Sequence, residues 1–162
     1  MIKKTIFCLS LLVMACPLFA ESKIEEPNTK YYVGAVTITN PWTKNTAKDQ
    51  KNAAIYMKLI SGANDKLIKA EALDLADRIE LHDHIVDAQG VAKMVETKSI
   101  ELKPNEEVLL KPRGRHVMLF GLKKQFNVGD RLHMKLTFEI AGTHEVQVDV
   151  KDQSYSCCGS QH

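Results

Sequence analysis

The strictest pattern in this sequence is the alternation of apolar and polar residues in "RLHMKLTFEI", residues 131–140. Successive side chains of an extended chain point to opposite faces, so one face would carry Leu132, Met134, Leu136, Phe138 and Ile140. The segment "EVQVDV" repeats this period with Val146, Val148 and Val150. A helix, with a period of about 3.6 residues, would scatter these side chains around its axis. Both segments therefore predict half-buried β-strands.

Much of the remaining chain has the same preference for extended structure. β-Branched and aromatic residues are frequent in residues 31–38 and 52–60, as is typical of strands. Turn-forming residues interrupt the chain at 61–65, 103–107, 111–114, 127–130 and 141–143. Short strands separated in this way predict an all-β antiparallel sandwich or barrel. One segment, residues 65–79, is ambiguous because its apolar spacing also suits a short helix.

The first 20 residues have the composition of an export signal. Lys3 and Lys4 precede an apolar run, and small residues follow it. This order predicts a secretory signal peptide that is cleaved after Ala20. In the alternative, a lipoprotein signal, the residues "VMAC" would make Cys16 the lipidated first residue. The apolar run is too short for a transmembrane helix, and no later run reaches that length.

The mature chain is predicted to contain one domain, at residues 31–150, between a flexible lead-in at 21–30 and a flexible, polar tail at 151–162. The whole sequence has 22 basic and 20 acidic residues, and the leader contributes two of the lysines. The mature charge is therefore balanced, which argues against a nucleic-acid partner. The domain contains no cysteine. It consequently has no internal disulfide and no thiolate with which to bind a metal.

Histidine and methionine residues cluster in two short segments. In "RIELHDHIV", His82 and His84 would share the strand face opposite the aliphatic residues, which leaves both imidazoles near solvent. In "RHVMLF", His116 and Met118 would share a face in the same way. Met94 follows the turn "DAQG", so it can return on a paired strand and lie near either His82 or His84. The three pieces could thus bring two imidazoles and two thioethers to one rim.

These donors favour one metal. Thioether sulfur is a soft, neutral ligand that binds Cu(I) well and has little attraction for Zn²⁺ or Mg²⁺. Methionine also suits an oxidising compartment, because its sulfur cannot be lost to a disulfide. A blue-copper electron carrier would require a cysteine ligand, and the domain has none. The pattern therefore predicts Cu(I) handling outside the cytoplasm.

The segments "ELHDH", "GVAKM" and "LLKPRGRHVMLFGLK" resemble the periplasmic copper chaperone family PCuAC, and the resemblance extends over about residues 31–150. The motif of that family is a His, about ten residues, a Met, 21 residues, and then His-x-Met. Met94, His116 and Met118 have this spacing. His82 is separated from Met94 by eleven residues and His84 by nine. If the turn absorbs the extra residue, His82 takes the family position and His84 competes or assists.

The resemblance implies a cupredoxin-like β-sandwich in the periplasm, with Cu(I) held at an exposed site by His82, Met94, His116 and Met118. It further implies that the ion is passed to a partner, either an oxidase subunit during cytochrome c oxidase assembly or another copper chaperone. We expect no enzymatic activity, because no nucleophile, base or carboxylate pair stands in a catalytic arrangement. The alternatives are a copper-dependent redox enzyme and a structural β-domain without a metal.

The tail contains a second, weaker candidate for copper binding, formed by Cys157, Cys158 and His162. PCuAC-like proteins sometimes have metal-binding C-terminal extensions, although these are usually rich in His and Met. The alternative is an unstructured end whose cysteines oxidise, including between chains.

Overall fold

The computed structural model describes residues 29–86 and 89–155. Every named secondary-structure element in these ranges is a β-strand. The eleven strands are β1 (Lys30–Val33), β2 (Val36–Lys44), β3 (Asn52–Ser61), β4 (Asp65–Glu71), β5 (Ala76–Val86), β6 (Ala92–Thr97), β7 (Ile100–Leu102), β8 (Glu107–Leu110), β9 (His116–Leu122), β10 (Arg131–Phe138) and β11 (Gly142–Lys151). The predicted all-β class is confirmed. The ambiguous segment 65–79 forms β4, a turn at residues 73–75 and the start of β5, without a helix. Within the described ranges, no helix is long and apolar enough to cross a membrane.

The strands form one sheet in the order β6-β5-β9-β3-β2-β11-β10-β4-β7, with β1 paired to β2 and β8 paired to β3. Neighbouring strands are antiparallel, as predicted, except that β11 runs parallel to β2. The sequence analysis did not anticipate this parallel pair. It connects the last strand to the second one, so the two ends of the described chain meet in the middle of the sheet.

A single hydrophobic core lies on the inner face of this curled sheet. The alternation in β10 is confirmed at Leu132, Met134, Leu136 and Phe138, all of which are buried. The three valines of β11 are buried as well, and Trp42 and Phe126 are among the largest fully buried side chains. Each such aliphatic or aromatic side chain contributes about 1.5–3 kcal/mol by leaving water. The core therefore dictates which face of each strand points outward.

Ile140 differs from its prediction, because it is exposed and lies beyond the end of β10. The buried carboxylate of Asp65 accepts hydrogen bonds from the backbone N–H groups of Ile140 and Ala141, both at 2.9 Å. These contacts turn the chain after Phe138 and end the alternation. A side chain that accepts hydrogen bonds from the backbone of a distant turn leaves no periodic pattern in the sequence.

Residues 31–38 do not form one continuous strand. The chain reverses at Gly34, and β1 pairs with β2 as a tight hairpin in which Val33 is opposite Val36. Gly34 has a φ of +55°, a conformation that glycine adopts at little cost because it has no Cβ. The glycine therefore divides a segment that otherwise has the composition of a strand.

Candidate metal centre

The histidines and methionines singled out in the sequence meet on β5, β6 and β9, at one end of the sheet order. β5 lies between the other two strands. His82 on β5 is directly opposite His116 on β9, and His84 on β5 is directly opposite Met94 on β6. Met118 lies two residues beyond His116. Opposite residues of an antiparallel pair point to the same face, and so do residues two apart on one strand. All five side chains therefore share one face.

The facing histidines form the shielded part of this group. The ring centroids of His82 and His116 are 5.4 Å apart, and the ring planes are inclined by 55°. His116 is buried, and the side chain of His82 is only 15% exposed. The prediction that both strand histidines lie near solvent is therefore wrong for His82, whose ring packs 6.0 Å from that of Phe120. It is confirmed for His84, which is exposed.

The two methionines extend the group outward. Met118 is half-buried, whereas Met94 is 45% exposed. Met94 is directly opposite His84 and diagonal to His82, because the residue opposite His82 is Glu96. Diagonal neighbours remain within reach of long side chains. Met94 is therefore adjacent to His84 and within reach of His82 across the diagonal.

Burial sets the charge of His116. Removal from water lowers the pKa of His116 below the usual histidine value, and repulsion from His82 lowers it further. A hydrogen bond between Nδ1 and the Gly114 carbonyl oxygen, at 2.9 Å, acts in the opposite direction but does not outweigh burial. His116 is consequently neutral at neutral pH. A neutral imidazole has a lone pair available for a metal.

Aromatic side chains form the wall of the site on the β3 side. The ring of Tyr56 lies 6.3 Å from His116 and 4.7 Å from Trp42, and Tyr155 packs edge-on against Trp42 at 4.8 Å. Burial raises the pKa of Tyr56, so its hydroxyl stays protonated. Sequence reasoning did not identify Tyr56 as a neighbour of the site. The pairing of β3 with β9, which places it there, is a long-range contact.

An open cavity of about 260 Å³ adjoins the same wall. Met118 and Tyr56 line it together with polar residues of β2 and β3, and with Gln153. Met118 is therefore accessible from the cavity as well as from the histidine pair. In residues 29–86 and 89–155, no three His, Cys, Asp or Glu side chains are grouped so that they could hold a metal ion. Cys16, Cys157, Cys158 and His162 lie outside the described residues.

A curled, mostly antiparallel sheet with paired His and Met residues on one face has the architecture of a cupredoxin-like domain. The chain belongs to the LpqE-like family: the family model described as "Putative lipoprotein LpqE-like" matches residues 36–150. A curated relative, the uncharacterized protein RP573 of Rickettsia prowazekii, is 33% identical over 133 residues, which cover 78% of this chain and 72% of the relative.

Solved structures of copper-binding domains are similar in both fold and sequence. The copper-bound PCuAC domain from PmoF2 superposes with a TM-score of 0.65 at 28% identity, covering 76% of this chain and 98% of that domain. The solution structure of Cu(I)-DR1885 from Deinococcus radiodurans gives a TM-score of 0.56 at 25% identity, covering 77% of this chain and 82% of that protein. The predicted cupredoxin-like fold is confirmed by these similarities.

Proposed function

We propose that this protein is an exported copper chaperone that binds one Cu(I) through His82, Met94, His116 and Met118. The observation that carries the proposal is the direct pairing of His82 with His116, with both methionines on the same sheet face. The domain also resembles solved domains that are copper-bound or Cu(I)-bound. The role is binding and transfer, not catalysis.

The donor set suits Cu(I) for a simple chemical reason. Two neutral imidazoles and two thioethers bring no negative charge, and their softness favours the monovalent ion over Zn²⁺. The lowered pKa of His116 keeps this imidazole unprotonated, so the metal does not have to displace a proton from it near neutral pH. The site is therefore ready to accept a weakly charged, soft cation.

The gradient of exposure supports transfer as well as binding. His116 is buried at the inner end of the site, whereas Met94 at the outer end is 45% exposed. An incoming ligand from a partner protein can reach the ion from the Met94 side before the inner ligands release it. The recipient in this proposal is a copper centre of a respiratory oxidase or another copper chaperone. Periplasmic location, with anchoring through Cys16 as the alternative, would bring the protein to such partners.

The tail contributes a subsidiary hypothesis. Tyr155 packs against Trp42, and Trp42 contacts the ring of Tyr56 beside His116. Cys157, Cys158 and His162 follow Tyr155 in the sequence, and we propose them as a second group of residues that binds Cu(I) and exchanges it with the site.

Two measurements test the function. The mature chain, reduced and free of oxygen, is titrated with Cu(I) against a coloured competing chelator, and a His82→Ala/His116→Ala double variant serves as the control. Both proteins carry Cys157→Ser and Cys158→Ser, so that the tail thiols do not bind Cu(I). We expect one tight equivalent that disappears in the double variant. The loaded protein is then mixed with an apo oxidase copper domain, and the metal content of each protein is measured after separation. Wild-type protein with no Cu(I) affinity above that of the double variant would contradict the proposal.

A further inference from the structure

A row of interacting side chains runs along β5 away from the histidine pair. Arg78, Glu80 and His82 alternate with inward residues and so share one face. The Arg78 Nε donates to Oε1 of Glu80 at 3.0 Å, and Oε2 of Glu80 lies 2.8 Å from Nε2 of His82. Glu80 therefore joins the arginine to the candidate ligand.

Both ends of this row are held in place. The guanidinium of Arg78 lies over the ring of Phe120, 4.6 Å from its centroid, and the two residues are directly opposite on β5 and β9. The side chains of Glu80 and His82 are only 11% and 15% exposed. A hydrogen bond to a carboxylate is stronger than one between neutral groups. Water competes little for the hydrogen bond between His82 and Glu80, because both side chains are largely buried. Glu80 is thus a rigid acceptor for His82.

These contacts determine where the proton lies on each facing ring. A carboxylate can only accept a hydrogen bond, so Nε2 of a neutral His82 carries the proton and Nδ1 carries the lone pair. The Gly114 carbonyl likewise only accepts, so Nδ1 of His116 carries the proton and Nε2 carries the lone pair. The two rings therefore present different nitrogen atoms to a shared metal ion, Nδ1 of His82 and Nε2 of His116.

We infer that Glu80 is a positioning residue that selects the tautomer of His82, so that Cu(I) binds Nδ1 of His82 and Nε2 of His116. The inference rests on the proposed function and adds the ligand atoms and a residue outside the His/Met motif. A histidine ligand whose second nitrogen donates to a carboxylate is held in orientation and becomes more basic. Glu80 would thus raise the affinity of the site without touching the metal.

Glu80 is better suited to this role than to direct ligation. Its two oxygens are already engaged by Arg78 and His82, and carboxylate oxygen is a hard donor that suits Cu(I) poorly. Arg78 also balances the charge of the carboxylate. Glu96 offers a comparison, because its exposed side chain lies directly opposite His82 on the other side, on β6.

The tautomers can be read directly by long-range ¹H–¹⁵N NMR of the histidine rings. In the metal-free mature protein at mildly alkaline pH, we expect His82 to carry its proton on Nε2 and His116 on Nδ1. Addition of Cu(I) should shift the Nδ1 signal of His82 and the Nε2 signal of His116. A wild-type His82 that is protonated on Nδ1, or that binds Cu(I) through Nε2, would overturn the inference.

Variants then test whether Glu80 is the cause. Glu80→Ala should give His82 a mixed tautomer population and weaken Cu(I) binding by about 10- to 100-fold. Glu80→Gln has one acceptor oxygen, and Arg78, which can only donate, requires it, so the amide NH₂ should face His82. This variant should therefore move the proton of His82 from Nε2 toward Nδ1 and weaken Cu(I) binding. The matched control Glu96→Gln removes a neighbouring carboxylate on the same face and should change neither readout. Unchanged tautomer and affinity in Glu80→Ala would refute the role of Glu80.

Failure of the inference is distinguishable from failure of the proposed function. If wild-type protein binds no Cu(I) through His82 and His116, the function is wrong, whatever the tautomers are. If it binds Cu(I) through both rings but Glu80→Ala leaves the tautomer of His82 unaltered, only the inference is wrong. Should the alanine variant fail to fold, the wild-type spectra and the Glu80→Gln variant still decide the question.

Discussion

His82 and His116 face each other across β5 and β9, with ring centroids 5.4 Å apart. The backbone pairing of two strands maintains this separation, so little reorganisation is needed for both rings to bind one ion. The more exposed members of the group, Met94 and His84, lie opposite each other on β6 and β5. This division between a shielded pair and an exposed pair leads to distinct expectations for each residue.

The metal preference of the site is the first expectation. The domain at residues 31–150 should bind one Cu(I) tightly and Zn²⁺ only weakly at the same site, because two of the four donors are thioethers. Competition between the two ions, followed through the NMR signals of His82 and His116, measures this preference. Equal displacement of Cu(I) by equimolar Zn²⁺ would contradict a site of this composition.

The two strand histidines should differ in their effect on copper. His82→Ala removes the imidazole that faces His116, so we expect it to weaken Cu(I) binding more than His84→Ala, whose ring is exposed. The measurement is the Cu(I) dissociation constant of each variant against the same chelator. The opposite ranking would assign the ligand to His84, which lies directly opposite Met94.

Substitution of Met118 separates ligation from packing. Met118→Leu preserves apolar volume at a half-buried position, so the apo protein should lose less than about 1.5 kcal/mol in free energy of unfolding. Leucine has no sulfur, so Cu(I) affinity should fall clearly. Met134→Leu is the matched control, because Met134 is 1% exposed in the core and its loss should leave copper binding unchanged. Intact affinity in both variants would show that Met118 only packs.

The hydrogen bonds that the Asp65 carboxylate accepts should stabilise the fold without affecting Cu(I) binding. Burial raises the pKa of Asp65, but hydrogen bonds from backbone N–H groups, those of Ile140, Lys66 and Ala141 among them, outweigh it and hold the pKa below the usual value. Asp65→Asn replaces one accepting oxygen with a donor, and should lower the free energy of unfolding by about 2 kcal/mol at neutral pH. Urea denaturation of both proteins measures the difference.

The contribution of Asp65 to stability should depend on pH because its pKa is lowered in the folded protein. Because the pKa of Asp65 is lowered in the folded protein, its contribution is complete above the carboxyl pKa of the unfolded chain, about 3.9, and is lost as the pH falls through the folded value. The difference in free energy of unfolding between wild type and Asp65→Asn should therefore become smaller in acid. Asp74→Asn, at a carboxylate whose side chain is 67% exposed, is the control and should change little at any pH. If this difference in free energy of unfolding stays constant into strong acid, the stabilising role of the ionised Asp65 carboxylate is contradicted.

The sequence alone determined the features that depend on neighbours along the chain. The period of two places His82 with His84, and His116 with Met118, on common strand faces, and it identifies the buried residues of β10. The His and Met content indicates a soft metal. All of these follow from the geometry of an extended strand, in which residues two apart always point the same way.

Only the tertiary structure decided which strands meet and in which register. It places His82 opposite His116 and Met94 opposite His84, brings Tyr56 beside the site from β3, and pairs β11 in parallel with β2. It also aligns Glu80 with Arg78 and His82, a contact that the alternation permits but does not require. Register results from burying the whole core at once, and a shift of one residue would turn every side chain to the other face. No local pattern contains that information, because the partners are distant in sequence.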